Sequence, residues 1–132
     1  MRIVIDRDIP YIKGAFEPTC EVVYEAGDAI TREMVADADA LIVRTRTRCD
    51  RELLEGSSVK VISTATIGTD HIDLEWCKGA GIEVCSAAGC NARGVLQWVS
   101  AALVKVCRHL GRTPESLTLG VVGVGHVGSL VV

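Results

Sequence analysis

The chain reads as an α/β protein built on a parallel sheet, and three observations predict that class. Short apolar runs alternate with helix-like segments through residue 85, the pattern of right-handed βαβ units. One of these runs, Ala40–Val43, is apolar at every position, as a strand covered on both faces should be. Near the end, Gly123-Val124-Gly125-His126-Val127-Gly128 follows the apolar run Leu117–Val122, a strand–turn–helix pattern that fits G-x-G-x-x-G. The expected architecture is a flavodoxin-like parallel-sheet domain followed by the start of a Rossmann dinucleotide-binding domain.

The elements follow in order. Arg2–Ile5 is a strand. Pro10–Phe16 is expected as a short helix with Pro10 in its first turn, where the missing N–H costs nothing. Cys20–Tyr24 is the second strand. Thr31 is placed to cap a helix running through Ala38, with Glu33 in its first turn. Ala40–Val43 is the third strand. Asp50 caps a short helix through Leu54, which Gly56 ends. Val59–Ser63 is the fourth strand, and Asp73 caps Leu74–Lys78, with Gly79 and Gly81 as stop signals. Ile82–Cys85 is the fifth strand.

Asn91–Leu110 is a long helix of another kind. Val95, Trp98, Val99, Ala102, Leu103, Val106 and Leu110 share one face, and Leu96, Ala101, Val104 and Cys107 widen it. So apolar a helix is expected to be buried on most sides, as between two domains. Gly111 and Pro114 mark its exit. The expected organisation is a flavodoxin-like domain over residues 1–90, which the family resemblance described below makes the substrate-binding domain, an interdomain helix and linker over 91–115, and the beginning of a nucleotide domain over 116–132.

Composition narrows the function classes. The chain is 48% hydrophobic and 23% charged, within the range of globular proteins. A net charge of −3 argues against nucleic acid as a partner, which calls for a basic surface. No apolar run approaches a membrane span, and Met1–Asp6 is charged too soon for a signal peptide. Six cysteines are present, with no C-x-x-C pair among them. The expectation is reduced thiols in a cytoplasmic protein, most of them packed as small apolar groups.

Four stretches could carry chemistry. In the Gly-rich turn, Gly123 suits a tight turn, Gly125 lets a pyrophosphate approach the backbone, and Gly128 permits close packing. The following amides face the phosphates, so His126 contributes its N–H rather than its ring. Arg44-Thr45-Arg46-Thr47-Arg48 follows the third strand, and open parallel sheets bind ligands outside the carboxyl ends of their strands. In an extended chain the arginines would share one side and the threonines the other. Guanidinium groups suit carboxylate and phosphate, and Arg44 and Thr45 lie nearest the strand end.

The third stretch, Ser63–Asp73, offers small hydroxyl residues and Gly68 for wrapping an anion. Asp70, His71 and Asp73 lack support as a metal site, and nothing local in the sequence orients His71 as a general acid. In the fourth, Ala87–Ala92, Asn91 or the turn before it caps the long helix, and Cys90 has no base beside it.

Together these stretches resemble the D-2-hydroxyacid dehydrogenase family. The resemblance runs along nearly the whole chain. It rests on Ile9-Pro10-Tyr11, Asp37–Leu41, Val43-Arg44-Thr45, Thr64-Ala65-Thr66, Gly68–Asp73, Gly89-Cys90-Asn91-Ala92 and Gly123–Gly128. It implies hydride transfer from the C2 hydroxyl of a small phosphorylated hydroxy acid to NAD. Thr45 and Thr66 match substrate-contacting positions, with Arg44 adjacent. Gly123, Gly125, His126, Val127 and Gly128 match the cofactor turn. The family's catalytic arginine, glutamate and histidine match no position here, so no residue is assigned a catalytic or metal role. The resemblance also implies a homodimer for the intact protein and an inactive 132-residue piece. Ala88, Gln97 and His126 depart from the common proline, glutamate and asparagine, which touches the subfamily and not the family. Two other readings stand beside this one. The first is a related dehydrogenase, such as one for 3-phosphoglycerate. The second is a non-catalytic module that binds small anions.

Overall fold

The computed structural model describes residues 1–132. They form two compact units, Met1–Ala87 and Ala88–Val132.

The first unit holds five parallel strands: β1 (Arg2–Asp6), β2 (Glu21–Glu25), β3 (Ala40–Val43), β4 (Val61–Thr64) and β5 (Glu83–Ser86). Their spatial order is β2-β1-β3-β4-β5, with every pairing parallel. This is the flavodoxin-like order, which reverses between β1 and β3. Three short helices connect the strands: α1 (Arg32–Val35), α2 (Arg51–Leu54) and α3 (Leu74–Gly79).

Strand alternation sorts the core into two layers. Val4, Leu41, Val43 and Ile62 point to one face, where Val35 of α1, Leu54 of α2 and Cys77 of α3 cover them. Ile3 and Ile5 point the other way, with Ala40 and Ile42 beside them. Fully burying each of these large aliphatic side chains contributes about 1.5–3 kcal/mol. The face carrying Ile3 and Ile5 is covered by Ile9, Ile12, Phe16 and Cys20. This segment is not the helix its sequence suggests. Tyr11 and Gly14 adopt φ of 61° and 87°, the left-handed region that a right-handed helix excludes. The segment turns instead, and still delivers its apolar side chains to the sheet.

Other elements depart from expectation by smaller margins. α1 stops at Val35, and Thr31 has the extended backbone of a cap without a side-chain capping bond. β4 and β5 begin later than their apolar runs. Val59 and Ile82 are buried in the core ahead of the ladder. Asp50 and Asp73 do cap α2 and α3, with Asp50 accepting from the amides of Glu52 and Leu53 and Asp73 from that of Trp76.

The second unit is built on α4 (Ala92–His109), followed by a 3-10 turn over Pro114–Ser116 and the short α5 (Gly128–Val131). Asn91 makes no side-chain cap. The expectation of a deeply buried helix is not met within this chain. Only Ala92 and Cys107 of α4 are buried, and Trp98 is 72% exposed. Hydrophobic periodicity identifies the face to be covered and says nothing of what covers it. The run Leu117–Val122 forms no strand, because a ladder needs a paired neighbour and this unit contains none. All six cysteines are free. Cys49, Cys77 and Cys107 are buried and Cys20 half-buried, while Cys85 and Cys90 are exposed. No helix is long and apolar enough to cross a membrane.

Candidate functional site

The loops that leave β3 and β4 lie side by side and are stitched together. Cys49 pairs with Ile72 in a parallel bridge. The Cys49 amide donates to the His71 carbonyl at 2.8 Å, and the Asp73 amide donates to the Cys49 carbonyl at 2.9 Å. The Ala65 amide donates to the Val43 carbonyl at 2.9 Å, carrying the β3–β4 ladder into the loops. Both loops therefore start from fixed strand ends and meet again before α2 and α3 begin.

Between them is a hollow of about 430 Å³ lined by Thr45, Arg48, Asp50, Asp70, His71, Ile72 and Asp73. Its charge is mixed. The Arg48 Nε stands 2.7 Å from the Asp50 carboxylate, and two further carboxylates share the rim. Of the three expected substrate contacts, only Thr45 lines this hollow. The Arg44 guanidinium instead donates to the Asp8 carbonyl at 3.0 Å. That bond ties the loop after β1 to the loop after β3, at the point where the strand order reverses.

The alternation expected across Arg44–Arg48 does not occur, because the segment turns rather than extends. Thr45 is exposed, whereas Thr47 is buried and donates to the Gly27 carbonyl at 2.8 Å. Beside it, Asp6 is buried and accepts from the Asp8 amide at 2.9 Å.

Thr66 sits in a hydroxyl network. Its Oγ1 is 2.7 Å from Thr64 Oγ1 and 3.2 Å from the Gly68 carbonyl, to which it donates. Thr64 Oγ1 lies 3.2 Å from His71 Nε2 and accepts from the Thr66 amide at 3.3 Å. Burial lowers the His71 pKa from its ordinary value, against the opposing pull of Asp70, and so favours the neutral ring. His71 is therefore oriented after all, by Thr64. That partner lies seven positions back, at the end of a strand and across a loop. No helical or strand period links the two, and the only signal in the sequence is a hydroxyl residue at an inward position of β4.

In the second unit, Gly123 has φ of 89°, a conformation that favours glycine. A Cβ on Gly128 would collide with the Gly123 carbonyl oxygen, so the turn closes only with glycine there. A Cβ on Gly125 would meet nothing within 4 Å, so the backbone at that point is open. The amides of Val124–Gly128 donate to no acceptor in the chain. An open backbone with several free amides fits a diphosphate. Val127 and Gly128 also border an apolar hollow of about 340 Å³ with Val99 and Val121. The His126 side chain packs on Gly89, where an added Cβ would come within 3.0 Å of Nδ1. The ring is thus occupied locally, and its backbone amide is the group left free.

Residues 3–116 match the family described as D-isomer specific 2-hydroxyacid dehydrogenase, catalytic domain. An erythronate-4-phosphate dehydrogenase of Bacteroides thetaiotaomicron is 55% identical over 132 residues, covering 99% of this chain and 38% of that protein. The chain thus spans well under half the length of this curated relative. A Thermus thermophilus protein of solved structure is 28% identical, with a TM-score of 0.76 over 99% of this chain and 51% of that one. An NAD+-bound 3-phosphoglycerate dehydrogenase of Entamoeba histolytica is 26% identical, with a TM-score of 0.65 over 99% of this chain and 49% of that one.

Proposed function

The chain belongs to the D-isomer specific 2-hydroxyacid dehydrogenase family, and from that premise we propose that the intact protein oxidises 4-phospho-D-erythronate at its C2 hydroxyl to the 2-oxo acid, in pyridoxal phosphate biosynthesis. The observation that carries this reading is the 55% identity to a named erythronate-4-phosphate dehydrogenase along 99% of the chain. NAD, when bound, accepts the hydride from C2, and the hydroxyl proton leaves to a base.

In this reading residues 1–90 are the substrate domain, 91–115 the interdomain helix and linker, and 116–132 the beginning of the nucleotide domain. Thr45 and Thr66 contact the substrate, and their hydroxyls suit its anionic groups. Arg44 serves beside them, holding the β3 loop to the β1 loop through Asp8. Gly123, Gly125, His126, Val127 and Gly128 hold the cofactor pyrophosphate. The free amides of the turn and the open backbone at Gly125 support that assignment. The protein works in the cytoplasm as a homodimer.

The likeness to the NAD+-bound 3-phosphoglycerate dehydrogenase motivates one alternative substrate. The deciding experiment is an NAD-reduction assay of the intact protein with 4-phospho-D-erythronate and 3-phospho-D-glycerate in parallel. A higher kcat/KM for the four-carbon acid is expected. A preference for 3-phosphoglycerate would replace the substrate, and no turnover of either would sink the dehydrogenase reading.

A further inference from the structure

The polarity of the Thr66 network follows from counting its hydrogens. The Gly68 carbonyl only accepts, so the single Thr66 hydroxyl hydrogen points to it across 3.2 Å. Thr66 Oγ1 must then accept in its 2.7 Å contact with Thr64 Oγ1. That uses the one hydrogen Thr64 has. Thr64 Oγ1 therefore accepts in its 3.2 Å contact with His71 Nε2, and that nitrogen carries hydrogen. The Thr66 amide, at 3.3 Å, fills the remaining lone pair of Thr64. One donor and two acceptor positions exhaust a hydroxyl, so buried Thr64 is saturated and the chain of bonds has one direction.

We propose that Thr64 and His71 are positioning residues that hold the Thr66 hydroxyl in its donor state, ready to exchange the Gly68 carbonyl for an anionic oxygen of the substrate. This rests on the reading of Thr66 as a substrate contact. His71 Nε2–H donates to Thr64, and the Thr64 O–H donates to Thr66. The outermost hydrogen is then the only one free to move. Bonds running in one direction polarise one another, so the Thr66 hydroxyl is a better donor than an isolated threonine. With the direction reversed, Thr66 would spend its hydrogen on Thr64 and would meet an anion with lone pairs. Thr64 is fixed by the end of β4 and His71 by the Cys49–Ile72 stitch, so both inner members stand on regular backbone pairing while Thr66 is in the loop.

The test uses ¹⁵N-labelled 132-residue chain, and reads the His71 tautomer from long-range nitrogen–proton couplings above the histidine pKa. The Nε2–H form is expected. Thr64→Ser should keep it, and the near-isosteric Thr64→Val should release the ring to a tautomer mixture without loss of the folded spectrum. On the same samples, titration with inorganic phosphate and with D-glycerate follows the Thr66 resonances. The anion that shifts Thr66 identifies which end of the substrate it meets. Affinity in Thr64→Val should fall about fivefold, the size of one hydrogen bond, with Thr64→Ser close to the parent. An Nδ1–H ring, or equal affinities in all three proteins, overturns the proposal and leaves Thr66 as a substrate contact. A parent chain whose Thr66 resonances respond to neither anion, with the Nε2–H ring present, overturns Thr66 as a substrate contact and the proposal with it.

Discussion

The two candidate binding regions of this chain use opposite halves of protein chemistry. In the first unit, the polar groups that the loops after β3 and β4 bring together are side chains. Thr45, Thr66 and His71 are placed by strand ends, a parallel bridge and a hydroxyl network. In the second unit, the Gly-rich turn presents backbone amides, and the His126 ring is turned onto Gly89. A backbone site tolerates most changes of side chain and no change at the glycines that shape it. A side-chain site depends instead on a buried scaffold that never touches the ligand. Substitutions can therefore be ranked by which kind of support they remove.

The largest effect is expected at Gly128. A methyl group there would collide with the Gly123 carbonyl oxygen, and backbone on both sides leaves no flexible atom to yield. Gly128→Ala should open the turn at a cost of about 3 kcal/mol, the upper end of overpacking penalties. In the intact protein this appears as NAD affinity lowered by roughly two orders of magnitude, with the first unit's melting unaffected. Calorimetric titration with NAD measures it. Affinity within a factor of two of the parent would show that the turn is not the cofactor's seat. Gly125→Ala, by contrast, meets no atom of the chain and should leave folding unchanged, so any loss of NAD affinity reports the ligand alone.

Gly27 tests the scaffold of the other region. A Cβ on Gly27 would stand 2.7 Å from Asp6 Oδ2 and 3.1 Å from Thr47 Oγ1. Asp6 and Thr47 are both buried, and Thr47 anchors the loop carrying Thr45. Gly27→Ala should destabilise the first unit by about 1–3 kcal/mol, read as a lowered urea midpoint. An unchanged midpoint would mean that the loop after β3 gives way freely, and the contrast between rigid scaffold and exposed ligand groups would fail.

The pattern of what was legible in the sequence follows the same division. The strands were legible because each is a short apolar run, and the parallel order follows from their alternation with helices. Asp50 and Asp73 were legible as caps because capping is local chemistry. The Gly-rich turn was legible because backbone geometry demands glycine at fixed spacing. Pro10–Phe16 was misread because left-handed Tyr11 and Gly14 override a favourable Pro10. The exposed face of α4 could not be anticipated, since periodicity carries no information about the partner. Arg44 turning to Asp8 and His71 meeting Thr64 depend on loops brought together in space. Of the substrate contacts implied by resemblance, only Thr45 falls on the hollow itself.

The stitch between the two loops has a signature in pH. Cys49 is fully buried, and that burial, with smaller contributions from Cys77 and Asp50, pushes its thiol pKa up to about 12. The unfolded chain ionises this thiol near pH 9 while the native chain keeps its proton. The native state then holds more protons than the unfolded state, so stability is at its full value below pH 9 and falls as pH rises toward 12. The slope from this group approaches 1.4 kcal/mol per pH unit within that window. Chemical denaturation of parent and Cys49→Ala at pH 8, 9.5 and 10.5 checks it. The alanine variant starts less stable, and its curve should fall less steeply above pH 9. Equal slopes would mean that the bridge region is open to water. Alkylation at pH 8 gives a second reading, with exposed Cys85 and Cys90 modified and Cys49 protected.

The smallest effect separates a cap that bonds from one that only looks like a cap. Asp50 and Thr31 occupy the same position ahead of helices of equal length, and both have extended backbone. Asp50 accepts from two amides, at 3.0 and 3.3 Å, and adds its charge to the helix N-terminus. Thr31 accepts from neither. Asp50→Ala should therefore cost about 1 kcal/mol, and Thr31→Ala no more than about 0.3 kcal/mol. The Asp50 loss also frees Arg48, whose guanidinium the carboxylate holds at the edge of the hollow. In the intact protein, an unpaired Arg48 should raise affinity for anionic substrate even as the fold weakens. A fall in KM together with a lower urea midpoint is the expected result. A rise in KM would mean that the Asp50–Arg48 pair itself shapes the site, and that its mixed charge is part of how the substrate is held.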